Sequence, residues 1–419
     1  MTKLILYSWF LVACAVAFRA KLHSPTGEDE NPLRKLSKAI TSFSTDLMVK
    51  LIESGTGTNI VISPTGIYVA LAMVYAGSGG ETKYQLESAL HLDVFEDDSE
   101  LYESISFLLQ TLRSTKKHYT LQLVNRLYAQ HESDDNHFDH DFLKKIDEYF
   151  RSQLETLDFS GDHSGSTWQI NNWVARMTSG KIKELFPDGT ITSDTHMALA
   201  SAAYFNASWL YRFDKEETTP QTFYKTSGKQ IQVPMMNMPF ASNLRYLPPD
   251  NAGFQALELP YDDNRVKAVI LLLNEDIAND PSWIQQIIEQ PMDEISSRLQ
   301  NVSLRLSLPK FRLRTTLNLR DSLQALGIED VFNGDTADLS YIDAAHAVAL
   351  DAAMHQTYIG FSEDGEHAPG AVTDGYTKRH FSFRRNTVEF VVDRPFFFKV
   401  LEQTTGCELF FAFVKNPLR

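Results

Sequence analysis

HMALASAAYFNASW, residues 196–209, is apolar at almost every position and carries no acid, lysine or arginine. A strand with one wet face would alternate, and a surface helix would repeat every 3.6 residues. This stretch does neither. It reads as a strand covered on both faces, at the centre of a sheet. Such a strand needs other layers above and below it, so the neighbouring sequence should supply helices and further strands.

Upstream the pattern is mainly helical. Apolar residues recur at helical intervals from Leu33 to Ser54, and a short β-branched run, NIVIS, covers 59–63. Pro64 opens a second helix through Ala76. After Gly77, Gly79 and Gly80, Thr82 can cap a third helix to Leu90. Residues 119–129 read as a strand, and Phe142–Leu157 and Ile170–Thr178 as helices. Downstream the pattern is mainly β. Short strands are expected at 222–227, 230–233, 243–247, 254–259, 266–273, 302–307, 311–314, 387–392, 396–402 and 408–415. Helices are expected at 281–299 and 317–327. No repeat or low-complexity linker divides the chain, so one interlocked α+β domain is the economical reading.

The 419 residues carry 39 Lys+Arg against 54 Asp+Glu, a formal charge of −15. Such a chain is a poor general binder of nucleic acid or anionic membrane. Two cysteines, Cys14 and Cys407, exclude a disulfide framework and thiolate clusters. The start, MTKLILYSWFLVACAVAFRA, sets Lys3 before an apolar run and ends in small residues. That is the layout of a secretory signal peptide over 1–20, cleaved near 17–20, which would place the protein in the extracellular space. Asn206-Ala-Ser208 and Asn301-Val-Ser303 are glycosylation acceptors consistent with secretion, Asn301 lying in the more polar segment.

No nucleophile elbow, phosphate loop or dinucleotide fingerprint is present. HESDDNHFDHDF, 131–142, gathers His131, Glu132, Asp134, Asp135, His137, Asp139, His140 and Asp141. No known ligand spacing is met, and acids favour a helix N-terminus, so no metal or other cofactor is expected. A second unusual segment is SEDGEHAPGAVTDGYTKRHFSFRR, 362–385, too long for an ordinary loop. Acids crowd its first half; Lys378, Arg379, Arg384 and Arg385 occupy its second. Its composition suits protease bait and an incidentally nicked linker about equally.

From about residue 36 to the end, the chain resembles the serpin family. The resemblance is carried by Asn59-Ile-Val-Ile-Ser-Pro64, Ile170-Asn-Asn-Trp-Val174 with Thr178 and Gly180-Lys-Ile182, and Tyr204-Phe205 with Trp209. Val233-Pro-Met-Met236, Leu257-Glu-Leu-Pro-Tyr261, Leu308-Pro-Lys-Phe311, Asp393-Arg-Pro-Phe396 and the ending Leu409-Phe410 through Asn416-Pro417 follow in family order. The resemblance implies three β-sheets and about nine helices in one domain, 21–419, with 362–385 as an exposed reactive-centre loop. It implies no enzyme but a suicide inhibitor, a monomer whose loop forms a covalent acyl complex with serine proteases and then inserts into the large sheet.

Site residues follow from the same resemblance. Glu363, Asp364 and Gly365 match the hinge, followed by small residues such as Ala368. Glu366 and Pro369 depart from its pattern: a carboxylate would enter the sheet, and a strand amide is missing. A non-inhibitory serpin that binds or carries a ligand therefore stays open. The reactive bond falls at Arg379–His380 when counted sixteen residues on from Glu363. Counting back from Arg394-Pro395 reaches Phe381 to Arg384, so Lys378, Phe381, Phe383 and Arg384 are alternatives. Arg379 implies a trypsin-like target, an aromatic residue a chymotrypsin- or elastase-like one. Ser63 and His355 are expected to hydrogen-bond at the shutter, where the sheet opens, and Trp209 to sit at the breach above it. Ser201 and Gly66 replace the Asn and Ser expected there.

Overall fold

In the computed structural model the residues described are 31–55, 59–113, 119–131, 138–249, 253–262, 264–275, 281–345, 348–363 and 387–418. Residues 1–20, read as a signal peptide, the expected hinge residues 364–369 and all the reactive-bond candidates lie outside them, as do residues 132–137 of the acidic run 131–142.

The first helices form where their caps and apolar spacing dictate. In α1 (Pro32–Glu53), Asn31 accepts from Leu33 N at 3.0 Å, and Leu36, Ile40, Phe43, Leu47 and Leu51 bury one stripe. After β1 (Ile60–Ile62), Ser63 caps α2 (Pro64–Tyr75), whose twelve residues are all buried. A helix apolar all round belongs inside a core. Gly77 behind it has no room for a side chain, since a Cβ would stand 2.2 Å from Ile342 Cγ1. Next comes α3 (Gly80–Ala89), with Gly79 at its N-cap position. Thr82, read above as its cap, lies inside the helix, where Oγ1 accepts from Asp338 N at 2.9 Å.

The remaining elements are α4 (Asp98–Arg113), β2 (Tyr119–Gln130), α5 (His140–Glu148), β3 (Leu154–Leu157), α6 (Phe159–Met177) and β4 (Met197–Ala207). They continue as β5 (Thr219–Tyr224), β6 (Gln230–Leu247), β7 (Phe254–Pro260), β8 (Val266–Leu273), α7 (Pro281–Ile288) and α8 (Met292–Arg298). The last are β9 (Gln300–Pro309), β10 (Phe311–Asn318), α9 (Arg320–Gln324), β11 (Leu350–Phe361), β12 (Val388–Val391), β13 (Phe396–Glu402) and β14 (Glu408–Val414).

Two expected helices are divided. The segment 142–157 is helical only to Glu148; Arg151 takes φ 53°, and Leu154–Leu157 pair in parallel with Leu127–Gln130. Free backbone donors and acceptors at the edge of β2 outweigh the continuing helical period. The segment 281–299 breaks into α7 and α8 beside Pro291.

Hydrogen bonding joins the strands into two networks. The smaller has the order β10-β11-β4-β2-β3. The larger runs β1-β14-β13-β8-β7-β6-β9-β12, with β5 also on β6. It joins what the family pattern counts as two sheets, because the 18-residue β6 pairs with β5 and β9 and then with β7, shifting register twice on the way.

The smaller sheet explains the opening stretch. Met197, Leu199, Ala203 and Phe205 of β4 join the main core, which also holds α2 and β14. Ala198, Ala200 and Ala202 join a second core, with Phe159, Ile170, Trp173 and Val174 of α6. Alternate residues therefore face two apolar layers, and no position along β4 is left for a polar surface residue.

Candidate functional site

The candidate site is the seam between β4 and β11. The strands are parallel and in register from Ala352 opposite Ala198 to Ile359 opposite Phe205, with a bulge below at Leu350/Ala352. Elsewhere in this sheet β4 pairs antiparallel with β2, and β11 antiparallel with β10. The seam is thus a closed parallel ladder between two antiparallel ones, and parallel pairing is slightly the weaker kind per residue.

At mid-height, His355, Ser201 and Asn125 lie side by side on β11, β4 and β2. His355 is wholly buried. The backbone N–H of Ser63 donates to its Nε2 at 3.1 Å, so that nitrogen carries no proton. Nδ1 then holds the proton and donates to Ser201 Oγ at 2.9 Å. Burial pushes the imidazole down to a pKa of about 3, which keeps it neutral. Ser63 Oγ donates to Leu409 O at 2.7 Å and accepts from Gly66 N at 3.3 Å. Ser63 and His355, expected to hydrogen-bond, are therefore brought together by the start of α2 and the middle of β11.

Asn125 was not singled out in the sequence. Its Nδ2 donates to Gly66 O at 3.0 Å, which brings an amide to this cluster from β2 rather than from position 201. A Cβ on Gly66 would sit 3.0 Å from Ser63 Oγ. Nothing in the local sequence of β2 marks Asn125, because its role depends on register with Ser201.

At the top of the seam, Trp209 is buried and stacks on Tyr261 with centroids 4.4 Å apart. Its Nε1 donates to Ser362 O at 3.1 Å, so it holds the backbone just after β11. Glu363 is 3% exposed. Its carboxylate accepts from Thr218 Oγ1 at 2.8 Å and meets Lys310 Nζ at 2.8 Å. Burial alone would raise its pKa, but the Lys310 ammonium, its own backbone N–H and Thr218 together hold it below the usual carboxylate value. Lys310 belongs to the Leu308–Phe311 motif, so the sequence contained a signal for it. Thr218 carried none.

The other sequence candidates lie away from this seam. Asn301 is exposed on β9, whereas Asn206 is 9% exposed within β4, with no room there for a glycan. Asp139 caps α5 by accepting from Phe142 N at 2.8 Å, as acids at a helix start do. Among the described residues no three His, Cys, Asp or Glu side chains converge on a metal position. Among them, too, no helix is long and apolar enough to cross a membrane. Cys407 is buried and unpaired in a disulfide, its thiol pushed up to about 12 by burial.

Comparison with known proteins agrees with this architecture. Curated relatives include "Leukocyte elastase inhibitor" of Xenopus laevis, 29% identical over 389 residues, covering 92% of this chain and 100% of that protein. "Leukocyte elastase inhibitor A" of Rattus norvegicus is 30% identical over 391 residues, covering 92% and 100%. Among solved structures, uncleaved ovalbumin superposes with a TM-score of 0.79 at 25% identity, over 91% of this chain and 100% of that one. Native tengpin, a thermophilic serpin, gives 0.80 at 25%, over 94% and 96%. The family profile described as Serpin (serine protease inhibitor) matches residues 38–417, and the chain belongs to that family.

Proposed function

We propose that the protein is a secreted suicide inhibitor of serine proteases, not an enzyme, in which residues 21–419 form one domain. The observation that carries this reading is the seam. β11 runs upward beside β4 and leads directly into Ser362 and Glu363. A chain that turns back after Glu363 and enters the seam runs antiparallel to both strands. It replaces one parallel ladder by two antiparallel ones, an insertion mode known for serpin reactive loops. Residues 364–379, fully extended, reach about 50 Å, enough to run the length of β11.

In this reading the protease serine attacks the carbonyl carbon of Arg379, and the amine of His380 leaves as the acyl ester forms. Insertion of the freed segment then carries the acylated protease along the sheet. Trp209 and the Glu363–Lys310 pair hold the hinge until cleavage, while Ser63, His355, Ser201 and Asn125 hold the seam shut. The target is trypsin-like if Arg379 precedes the cut. Secretion rests on residues 1–20, and the family match begins beyond them, at 38. Asn301 is the glycan acceptor that exposure favours.

The test is incubation with trypsin and with chymotrypsin, followed by denaturing electrophoresis and N-terminal sequencing of the released fragment. An SDS-resistant complex with trypsin, and a fragment beginning at His380, are expected. Cleavage without a complex under both enzymes sinks the inhibitory reading. It would favour a serpin that binds a ligand or partner, the alternative that Glu366 and Pro369 support. N-terminal sequencing of the mature protein tests cleavage near 17–20.

A further inference from the structure

We infer that Lys399 is a positioning residue for the His355 cluster: it clamps a bulge in β14 that turns the carbonyl of Leu409 toward Ser63. The inference goes beyond the insertion reading, because it concerns how the intact cluster is held and needs no protease.

All seven residues of β13 and all seven of β14 are buried, and Lys399, Glu402 and Glu408 are the charged ones among them. A strand apolar on both faces specifies its register weakly, since a slip carries no polar face into the core. The observed pairing is irregular in one place. Val400 stands opposite Phe410 but Leu401 opposite Glu408, so Leu409 is an extra residue without a counterpart on β13. A regular ladder continued from Leu401 and Glu408 would set Leu409 opposite Val400, Phe410 opposite Lys399 and Phe411 opposite Phe398. Every residue of β14 moved in this way is apolar, so hydrophobic patterning does not place the bulge.

Lys399 spans it. Its ammonium meets Glu408 Oε1 at 2.6 Å, on one side of the extra residue, and lies 4.2 Å from the centroid of the Phe411 ring, on the other. In the observed register Phe411 stands directly opposite Lys399. In the regular ladder it would turn to the other face of the strand, out of reach of the ammonium. The second carboxylate oxygen of Glu408 accepts from Ser44 Oγ of α1 at 2.8 Å. Lys399 and Glu408 are both buried, and a buried charge left without its partner is costly. One side chain thus ties the two ends of the bulge together, and Ser44 ties them to α1.

The bulge decides what β14 presents to the start of α2, because the extra residue is left out of the ladder with β13. Leu409 O accepts from Ser63 Oγ at 2.7 Å, and Glu408 O accepts from Thr65 Oγ1 at 2.7 Å. Ser63 is the residue whose backbone N–H donates to Nε2 of His355 and so fixes its tautomer. The contacts run from Lys399 to Glu408 and Leu409, then to Ser63, then to His355. Lys399 therefore acts on the imidazole through the backbone of β14.

The test uses the full-length protein and follows two signals, hydrogen exchange of the Ser63 amide and the ring nitrogen NMR resonances of His355. Lys399→Met is expected to raise Ser63 exchange about fivefold, the equivalent of one lost hydrogen bond. It should also move the Nε2 resonance toward that of a free acceptor. The double variant Lys399→Met/Glu408→Gln buries no lone charge and is expected to show the same two changes. Phe411→Leu keeps the ion pair but removes the ring, and should raise Ser63 exchange about twofold. Amides of α6, which packs in the second core, should keep parent values in every variant. The double variant and Phe411→Leu carry the test should Lys399→Met not fold. Parent values at Ser63 and His355 in the double variant overturn the inference, because the pair then serves only to avoid a lone buried charge. A rise shared equally by α6 overturns it too, because the effect is then a general loss of stability.

Discussion

His355 carries its chemistry because of where it is buried. An ordinary imidazole titrates at 6.5, whereas this one is held to about 3. The unfolded chain therefore takes up the proton first as pH falls. The stability this residue contributes is fully present above pH 6.5 and is lost progressively toward pH 3, by up to about 1.4 kcal/mol per pH unit. Urea denaturation at pH 7.0, 6.0 and 5.0 should show a steeper acid loss for the parent than for His355→Gln; equal slopes would refute the assignment. Asn125→Ala removes the amide that holds Gly66 O, and should destabilise the intact protein by about 1 kcal/mol. At the top, Glu363→Gln leaves Lys310 without a carboxylate. It should hasten spontaneous loop insertion, read as a slow loss of inhibitory activity on standing, while Thr218→Ser should not.

Elements were legible where one local pattern dominated. The helix α2 and strands β7, β8, β13 and β14 follow from composition and spacing alone, whereas the caps Asn31 and Ser63 emerged only from the structure. Leu154–Leu157 did not, because its residues continue a helical period and become a strand only beside β2. The long β6 was read as separate strands, since its register shifts against β9 have no marker in its own sequence. The segment 362–385 is where the sequence makes the sharpest demand. Glu366→Thr removes a carboxylate from the face that would enter the sheet. It should increase the yield of SDS-resistant complex several-fold relative to cleaved inhibitor. Pro369→Ala restores an amide to the inserted strand and should act in the same direction. If neither variant changes the partition measured by titration against trypsin, those residues are not what slows insertion.

For the whole molecule, insertion should appear as stability. A new central strand adds about ten ladder hydrogen bonds, each worth roughly 0.5–1.5 kcal/mol net. Cleaved protein should therefore melt some 10–20 °C above intact protein in calorimetry, and an unchanged Tm would argue for a loop that stays outside the sheet. The formal charge of the whole chain is −15, while Lys378, Arg379, Arg384 and Arg385 make the second half of segment 362–385 basic. The one described cysteine, Cys407, is buried in the core and joins no strand to another, so no disulfide from it obstructs the seam.

By itself the sequence determined the α+β class, the doubly buried strand within 196–209, the family resemblance and the charge pattern of segment 362–385. These depend on residue type and on spacing along the chain. Tertiary structure decided that Asn125 brings its amide to Gly66 O beside His355 and Ser201, and that Lys310 and Thr218 hold Glu363. Those facts depend on which residues stand opposite one another across a sheet. Register and strand order are set by packing between segments as far apart as Ile60 and Phe413, and the seam brings together Ser63 and His355, separated by 292 positions. No local pattern records such a distance, which is why the seam became visible only once the chain was folded.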